Sequence, residues 1–347
     1  MTSVGQQQSI RIIWMDLLRI ISVFSVIVIH AASVGDGWFQ PSSDDWQWCN
    51  LYLSCVRFAV PVLVMISGVM LLNPEKDYSI RNIIWHKIFH LATVFVLWVI
   101  FYSTVLQLEI HHTISWKRYL TTGPYHFWFL FMISGLYLIT PILRAINTKM
   151  MSYFLILAVV FVFCLNTAAY FPQTSREAIF LRDRLDLRFA GGYISYFIAG
   201  YWLANHRLDW RYRLCIYELG ILSVLCTVAV RGLLSIRQGA PAAFLHDPFS
   251  INIFLISVAV FTFFQYGFCK ITVSDKLHRL ISILAKASFG VYLIHIFFLE
   301  RLKFIGLPDF FINPALSIPI TAIVTYTLCL ISIGIISNIP FLRKYAM

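Results

Sequence analysis

The chain has 347 residues, of which 59% are hydrophobic, 16% aromatic and 12% charged, where an ordinary soluble domain carries about 25% charged residues. Water is therefore not the solvent for most of its surface, and a soluble protein with one or two cores and a charged skin is excluded. The formal charge of +11 lies in scattered Lys and Arg between apolar runs rather than in a continuous stripe, which argues against a nucleic-acid partner and for a membrane topology signal.

Apolar runs long enough to cross the bilayer as helices, about twenty residues each, lie near 12–33, 51–72, 86–108, 125–143, 152–170, 189–204, 214–233, 250–269, 284–303 and 315–338. Lipid offers no partner to a backbone amide, and the runs are too long for the alternating strands of a barrel. The pattern predicts an all-α polytopic membrane protein of about ten transmembrane helices. Breaks fall at Gly35 to Asp45 with Pro41, Asn73-Pro74, Gly123-Pro124, Phe171-Pro172, Gly239-Ala240-Pro241 and Asn313-Pro314, all of them turn and stop signals. One alternating set of loops holds 15 Lys and Arg residues and the other seven, so the positive-inside rule puts both termini in the cytoplasm. The stretch from Arg176 to Arg188 falls on the external side despite its arginines, which Glu177, Asp183 and Asp186 offset. Seven cysteines without a C-x-x-C pair indicate neither a metal site nor a disulfide framework. The first apolar run carries Asp16 and Arg19 with no small-residue cleavage site after it, unlike a signal peptide. No repeat or composition shift divides the chain, and residues 1–347 read as a single membrane domain.

Chemistry-bearing residues sit inside the runs. In the first, eleven steps separate Arg19 from His30; at ~100° per residue that is three turns plus ~20° over a rise of ~16 Å, so the two share a face. Arg19 falls in the inner half and His30 near the outer end. A charged group at the bilayer centre costs about 2.5 kcal/mol or more, so it faces a cavity or a partner. Pairing of Arg19 with Asp16 and a headgroup position for His30 account for the two equally well. The second run carries Arg57 about two turns below the outer surface, then Pro61, which frees a carbonyl and allows a kink. Its Ser67-Gly68 reads as close helix packing. The fourth opens with Tyr125-His126-Phe127-Trp128-Phe129-Leu130 and continues to Tyr137 and Pro141; its aromatic residues suit an interfacial belt, while His126 enters from the same side as His30. The ninth holds Ser288, Tyr292 and His295, with Tyr292 and His295 one turn apart on a face. Three histidines and an arginine thus converge on one outer half.

The succession of Asp16-x-x-Arg19 with His30, Arg57-Phe-x-Val-Pro61 leading to Ile66-Ser67-Gly68, His126-Phe-Trp-Phe-Leu130 with Tyr137 and Pro141, and Ser288-x-Gly-x-Tyr-Leu-Ile-His295 resembles the integral-membrane acyltransferase-3 family, from about Trp14 to the last helix. Phe127 stands where many members carry Leu. The resemblance implies that His30 is the catalytic residue and that Arg19 is associated with the acyl donor. Arg57, His126, Trp128, Tyr292 and His295 fall on other recurrent positions, with His126, His295, Arg57 and Tyr292 grouped with the chemistry and Trp128 and Ser288 with donor binding. It further implies a bacterial inner membrane location, cytoplasmic acetyl-CoA as donor with no metal, and a hydroxyl of a cell-envelope glycan or polyprenyl-linked saccharide as acceptor. Transfer is then completed within the membrane domain.

Such a transfer is chemically reasonable for these side chains. A sugar hydroxyl is a poor nucleophile at neutral pH and needs a base within hydrogen-bond reach; neutral imidazole suits that task. Arg57, Tyr292 or a second histidine could stabilise the developing oxyanion. The rival from another class is a glycan or small-molecule transporter or flippase whose Arg and His line a pathway. Convergence at one depth and the lack of an inverted repeat favour a reaction centre.

Overall fold

The computed structural model describes residues 3–74, 79–110, 123–146, 148–170, 176, 179, 192–243, 245–304 and 313–339, and the regular structure in them is helical. The chain begins with α1 (Ser3–Trp38), α2 (Asp44–Val56) and α3 (Ala59–Leu71). A short helix, Ile80–Asn82, and a π-helical segment, Ile83–Ile88, lead into α4 (Phe89–Ile110). One 3-10 turn, Tyr125–Phe127, opens α5 (Trp128–Ala145). Next, α6 (Thr148–Leu157) continues through π-helical Ala158–Cys164 to Leu165–Ala168. The remainder is α7 (Tyr193–Asn205), α8 (Trp210–Gln238), α9 (Ile251–Phe268), α10 (Asp275–Phe304) and α11 (Pro314–Ser337).

Among the described residues, nine helical stretches are long and apolar enough to cross a membrane, with α2 and α3 counted as one. Ile221, Leu222 and Leu225 on α8, like Leu138 and Ile142 on α5, are more than half exposed, which suits lipid and not water. This is a multi-pass membrane protein. The 13 described residues of α7 fall short of a full crossing, yet they join the same two ends of the bundle. Tyr193 packs on Trp128 and Phe249 with ring centroids 5.6 and 5.2 Å apart. Toward the other end, Trp202 donates to Ser152 at 2.9 Å and the Leu203 carbonyl accepts from Gln265 at 3.1 Å. The charge count reads the first end as external; it is called the outer end below.

Several boundaries differ from the sequence expectation. The break expected from Gly35 onward is helical as far as Trp38, and the second crossing starts at Asp44 rather than Leu51. Ser43 caps it by accepting from the Trp46 N–H at 3.2 Å, and Asp44 and Asp45 suit the positive end of the helix dipole. Where a kink was expected at Pro61, the helix is interrupted one turn earlier, between α2 and α3 at Arg57-Phe58. Without an N–H on Pro61 the Arg57 carbonyl loses its helical partner, and the ladder resumes with Val62 donating to Phe58 at 2.9 Å. The stretch from Arg176 to Arg188 lies outside the described residues apart from Arg176 and Ile179.

Packing at the centre depends on small residues. A methyl added to Gly68 of α3 would overlap the Phe197 carbonyl of α7, and one added to Gly200 of α7 would overlap the Met65 backbone. The two backbones therefore touch, which is how helices gain dispersion energy where lipid supplies no hydrophobic drive. Around this contact Trp14 of α1 meets Phe261 of α9 edge to face at 5.3 Å.

Candidate active site

Three imidazoles from three helices meet at the outer end. His30 of α1 lies 5.2 Å, centroid to centroid, from His295 of α10, and His126 from the 3-10 turn before α5 lies 5.1 Å from His295. His126 Nε2 is 3.3 Å from the Leu293 carbonyl. A carbonyl only accepts, so Nε2 carries the proton and Nδ1 keeps a lone pair. By the same reasoning His295 Nδ1 donates to the Tyr292 carbonyl at 2.6 Å, which leaves the lone pair on Nε2. Both lone-pair nitrogens, His126 Nδ1 and His295 Nε2, are buried without a partner. Such orphans are rare where no ligand is expected.

The rings are held by backbone anchors. The Tyr292 hydroxyl donates to the His126 carbonyl, tying the 3-10 turn to α10. From α4, the Tyr102 hydroxyl sits between the Leu293 carbonyl at 2.9 Å and the Phe297 N–H at 3.3 Å. His30 is only half buried, and its Nδ1 lies 3.4 Å from the hydroxyl of Tyr125.

The remaining expected residues divide by depth. Arg57, at the α2–α3 break, lies within electrostatic reach of His30 but is bonded elsewhere, its Nη2 3.2 Å from His246 Nδ1. Trp128 stands at the outer rim, 44% exposed, beside Tyr193. Ser288 is buried seven residues before His295 and donates to the Leu284 carbonyl at 3.0 Å. Toward the inner end Arg19 pairs with Asp16 at 3.6 Å and points Nη2 at Met70 of α3 at 3.2 Å. The structure therefore brings His30, His126, His295 and Tyr292 together, sets Arg57 beside them, and leaves Arg19, Ser288 and Trp128 apart. Between Arg19 and His30 on α1, the buried Ser22 hydroxyl has no partner.

Across residues 12–334 the chain matches a family described as an acyltransferase domain. It belongs to the acyltransferase-3 family. No curated protein and no solved structure matches it. The match takes in every residue of the histidine cluster, so the cluster lies within the acyltransferase domain itself. Among the described residues, no group of three or more His, Cys, Asp or Glu side chains is arranged to hold a metal ion.

Sequence reasoning missed a second polar centre in this acyltransferase. Arg231 of α8, 2% exposed, donates to both carboxylate oxygens of Asp36 at 2.8 Å, to Asn50 at 3.0 Å and to the Ala242 carbonyl at 2.9 Å. Trp46 lies under its guanidinium at 4.9 Å. A signal was present: an arginine on an apolar helix needs a partner. Asp36 was hidden in a segment read as loop.

Proposed function

We propose that this membrane acyltransferase moves an acetyl group from cytoplasmic acetyl-CoA to a hydroxyl of a cell-envelope glycan or lipid-linked saccharide at the outer end of the bundle. The observation that carries this is the cluster of His30, His126 and His295 with two unpartnered lone pairs inside an acyltransferase domain. In the reaction the acceptor oxygen bonds to the thioester carbonyl carbon and the carbon–sulfur bond breaks. The hydroxyl proton passes to an imidazole and from there to the leaving thiolate. His30, half buried and facing Tyr125, is the proposed base because the acceptor reaches it from outside; His295 Nε2 and His126 Nδ1 lie behind it with lone pairs that can accept from hydroxyls of the acceptor. Tyr292 orients His126, and Arg57 adds positive charge beside the developing oxyanion.

The donor fits the same groups. Arg19 lies toward the inner end, where the phosphates of coenzyme A would stay, and the unpartnered Ser22 hydroxyl between Arg19 and His30 suits an amide of the pantetheine arm. Ser288 and Trp128 are proposed contacts along and above that path. The acceptor class rests on the resemblance, within the family, to single-domain enzymes that O-acetylate enterobacterial common antigen, and the bacterial inner membrane as the location rests on it too.

Mass spectrometry of envelope glycans from cells with and without the protein tests this reading, and an acetyl increment lost with the protein is the expected result. His30→Ala at matched membrane abundance should lower the increment by the 10²–10⁴-fold typical of a general base. Unchanged glycan masses would overturn the assignment, and near-normal acetylation by His30→Ala would move the base to His295.

A further inference from the structure

A fourth histidine, His246, stands outside the cluster in the outer loop between α8 and α9. It is buried at 7% exposure, and it touches Arg57, a cation within electrostatic reach of His30. Arg57 Nη2 lies 3.2 Å from its Nδ1, and Ser54 Oγ lies 3.1 Å from its Nε2. A guanidinium only donates, so Nδ1 accepts and the ring proton sits on Nε2, which donates to Ser54. Ser54 in turn donates to Asn50 Oδ1 at 3.5 Å, the oxygen that also accepts from Arg231 at 3.0 Å. Asp36, Arg231, Asn50, Ser54, His246 and Arg57 thus form one chain of hydrogen bonds leading to the neighbourhood of His30.

The loop that presents His246 is built to hold it still. Leu245, the residue before it, has φ +63°, a conformation that a side chain with a branched body rarely adopts. Its carbonyl is fixed by Asn252 at 2.8 Å. Nearby, the Ala242 N–H donates to Ser235 at 2.9 Å, Tyr196 donates to the Pro248 carbonyl at 2.5 Å, and Asp247 accepts from Asn166 at 3.0 Å and Tyr170 at 2.9 Å. Strain retained under this many restraints marks a position whose orientation matters.

We propose that His246 is a positioning residue for acyl transfer, which accepts from the Arg57 guanidinium and thereby holds it facing the histidine cluster. The inference rests on the function proposed above. Arg57 sits at the α2–α3 junction, and the bond its Nη2 makes to the imidazole fixes its guanidinium. Only a neutral His246 serves, because a protonated Nδ1 would point a donor at a donor. The groups around it agree: Arg57 at the α2–α3 junction and Arg231 of α8 both disfavour a charged ring, and burial keeps its pKa well below the usual value. Asp247, its neighbour in the loop, is already engaged by Asn166 and Tyr170.

The test is acetyl transfer from acetyl-CoA by purified protein in vesicles made from the envelope lipid and glycolipid extract of cells lacking the protein, which supplies the unacetylated acceptor, with His246→Ala, His246→Asn and Arg57→Ala alone and combined. His246→Ala should lower kcat roughly ten- to a hundredfold, the scale of an ångström-sized misplacement, with the KM for acetyl-CoA within about twofold. His246→Asn, whose amide oxygen takes the place of Nδ1, should recover most of kcat. In the Arg57→Ala background His246→Ala should cost nothing further, since the two act as one unit. Nitrogen NMR of the ring should show the Nε2–H tautomer, and Arg57→Ala should disturb it. An active wild type with His246→Ala at full kcat overturns the inference. Equal losses with and without Arg57, or a loss that follows thermal stability and is the same in His246→Asn, also overturn it. An inactive wild type overturns the proposed function instead.

Discussion

A buried imidazole wedged between a guanidinium and a hydroxyl has one protonation state open to it. Burial strips His246 of water, and Arg57 and Arg231 repel a second positive charge, so its pKa lies well below the ordinary value of 6.5. In the unfolded chain the same ring binds a proton near 6.5, so on acidification the unfolded state takes up protons that the folded state refuses, and stability falls with pH. The contribution is fully present above about 6.5 and is lost progressively below it, down to the depressed folded value. Thermal unfolding of the detergent-solubilised protein across pH 5–8 should show a midpoint that declines below about 6.5, with a shallower decline in His246→Asn. Parallel curves for the two would assign the acid sensitivity elsewhere. His30, His126 and His295 were legible in the sequence because each lies in an apolar run or at its outer end. His246 was not: its partner Arg57 is 189 residues away, and Asp36 is 195 from Arg231. Nothing in the local pattern of either partner points to the other.

Helix ends follow rules that act over a few residues, and these were read well where the rule was strong. Asn313 accepts from the Ala315 N–H at 2.8 Å with Pro314 behind it, and Gly239 ends α8 at φ +66°, as the expected stop signals require. The start of α2 was missed because Asp44, Asp45 and Trp46 look like loop on an apolar scale although Ser43 caps them. The π-helical segments Ile83–Ile88 and Ala158–Cys164 have no pattern that apolar periodicity detects. Close packing at Ser67-Gly68 was expected, but not its partner Gly200, since a glycine inside an apolar run declares small size and not the helix it will meet. Overpacking a core commonly costs about 1–3 kcal/mol, and here the added atoms would meet backbone, which has little room to shift. Gly200→Val and Gly68→Leu should therefore lower both the folded yield and the thermal midpoint sharply. Gly334→Ala, with nothing within 4 Å of the added methyl, should leave both unchanged. Equal behaviour of the three variants would mean that α3 and α7 do not rely on contact between their backbones.

On the scale of the whole bundle, Arg19 and the histidine cluster lie at different depths. Arg19 and His30 share one face of α1 with a rise of ~16 Å between them; Asp16 and Met70 hold the first, while His295 and Tyr125 flank the second. Inner-end contacts such as Trp202 with Ser152 and outer-end contacts such as Tyr52 donating to the Ala315 carbonyl at 2.7 Å tie the helices into a wall around that depth. Basic residues crowd the loops at the Arg19 end, which supports a cytoplasmic face there and both termini on it, given α7 as a tenth crossing. An anionic donor would then enter beneath Arg19 and send only its thin arm upward, while a bulky glycan would reach His30 without crossing the bilayer. The expected outcome is a division of substrates between sides. In sealed vesicles of known orientation, acetyl-CoA supplied on the side of a tag after Met347 should acetylate an acceptor on the opposite side, and free coenzyme A should appear on the tagged side. Supplying both substrates on the side away from the tag should give no transfer. Transfer under that second arrangement, or a tag accessible from the acceptor side, would refute the two-sided reaction, because a donor admitted from outside would have no use for an arginine toward the far end of α1.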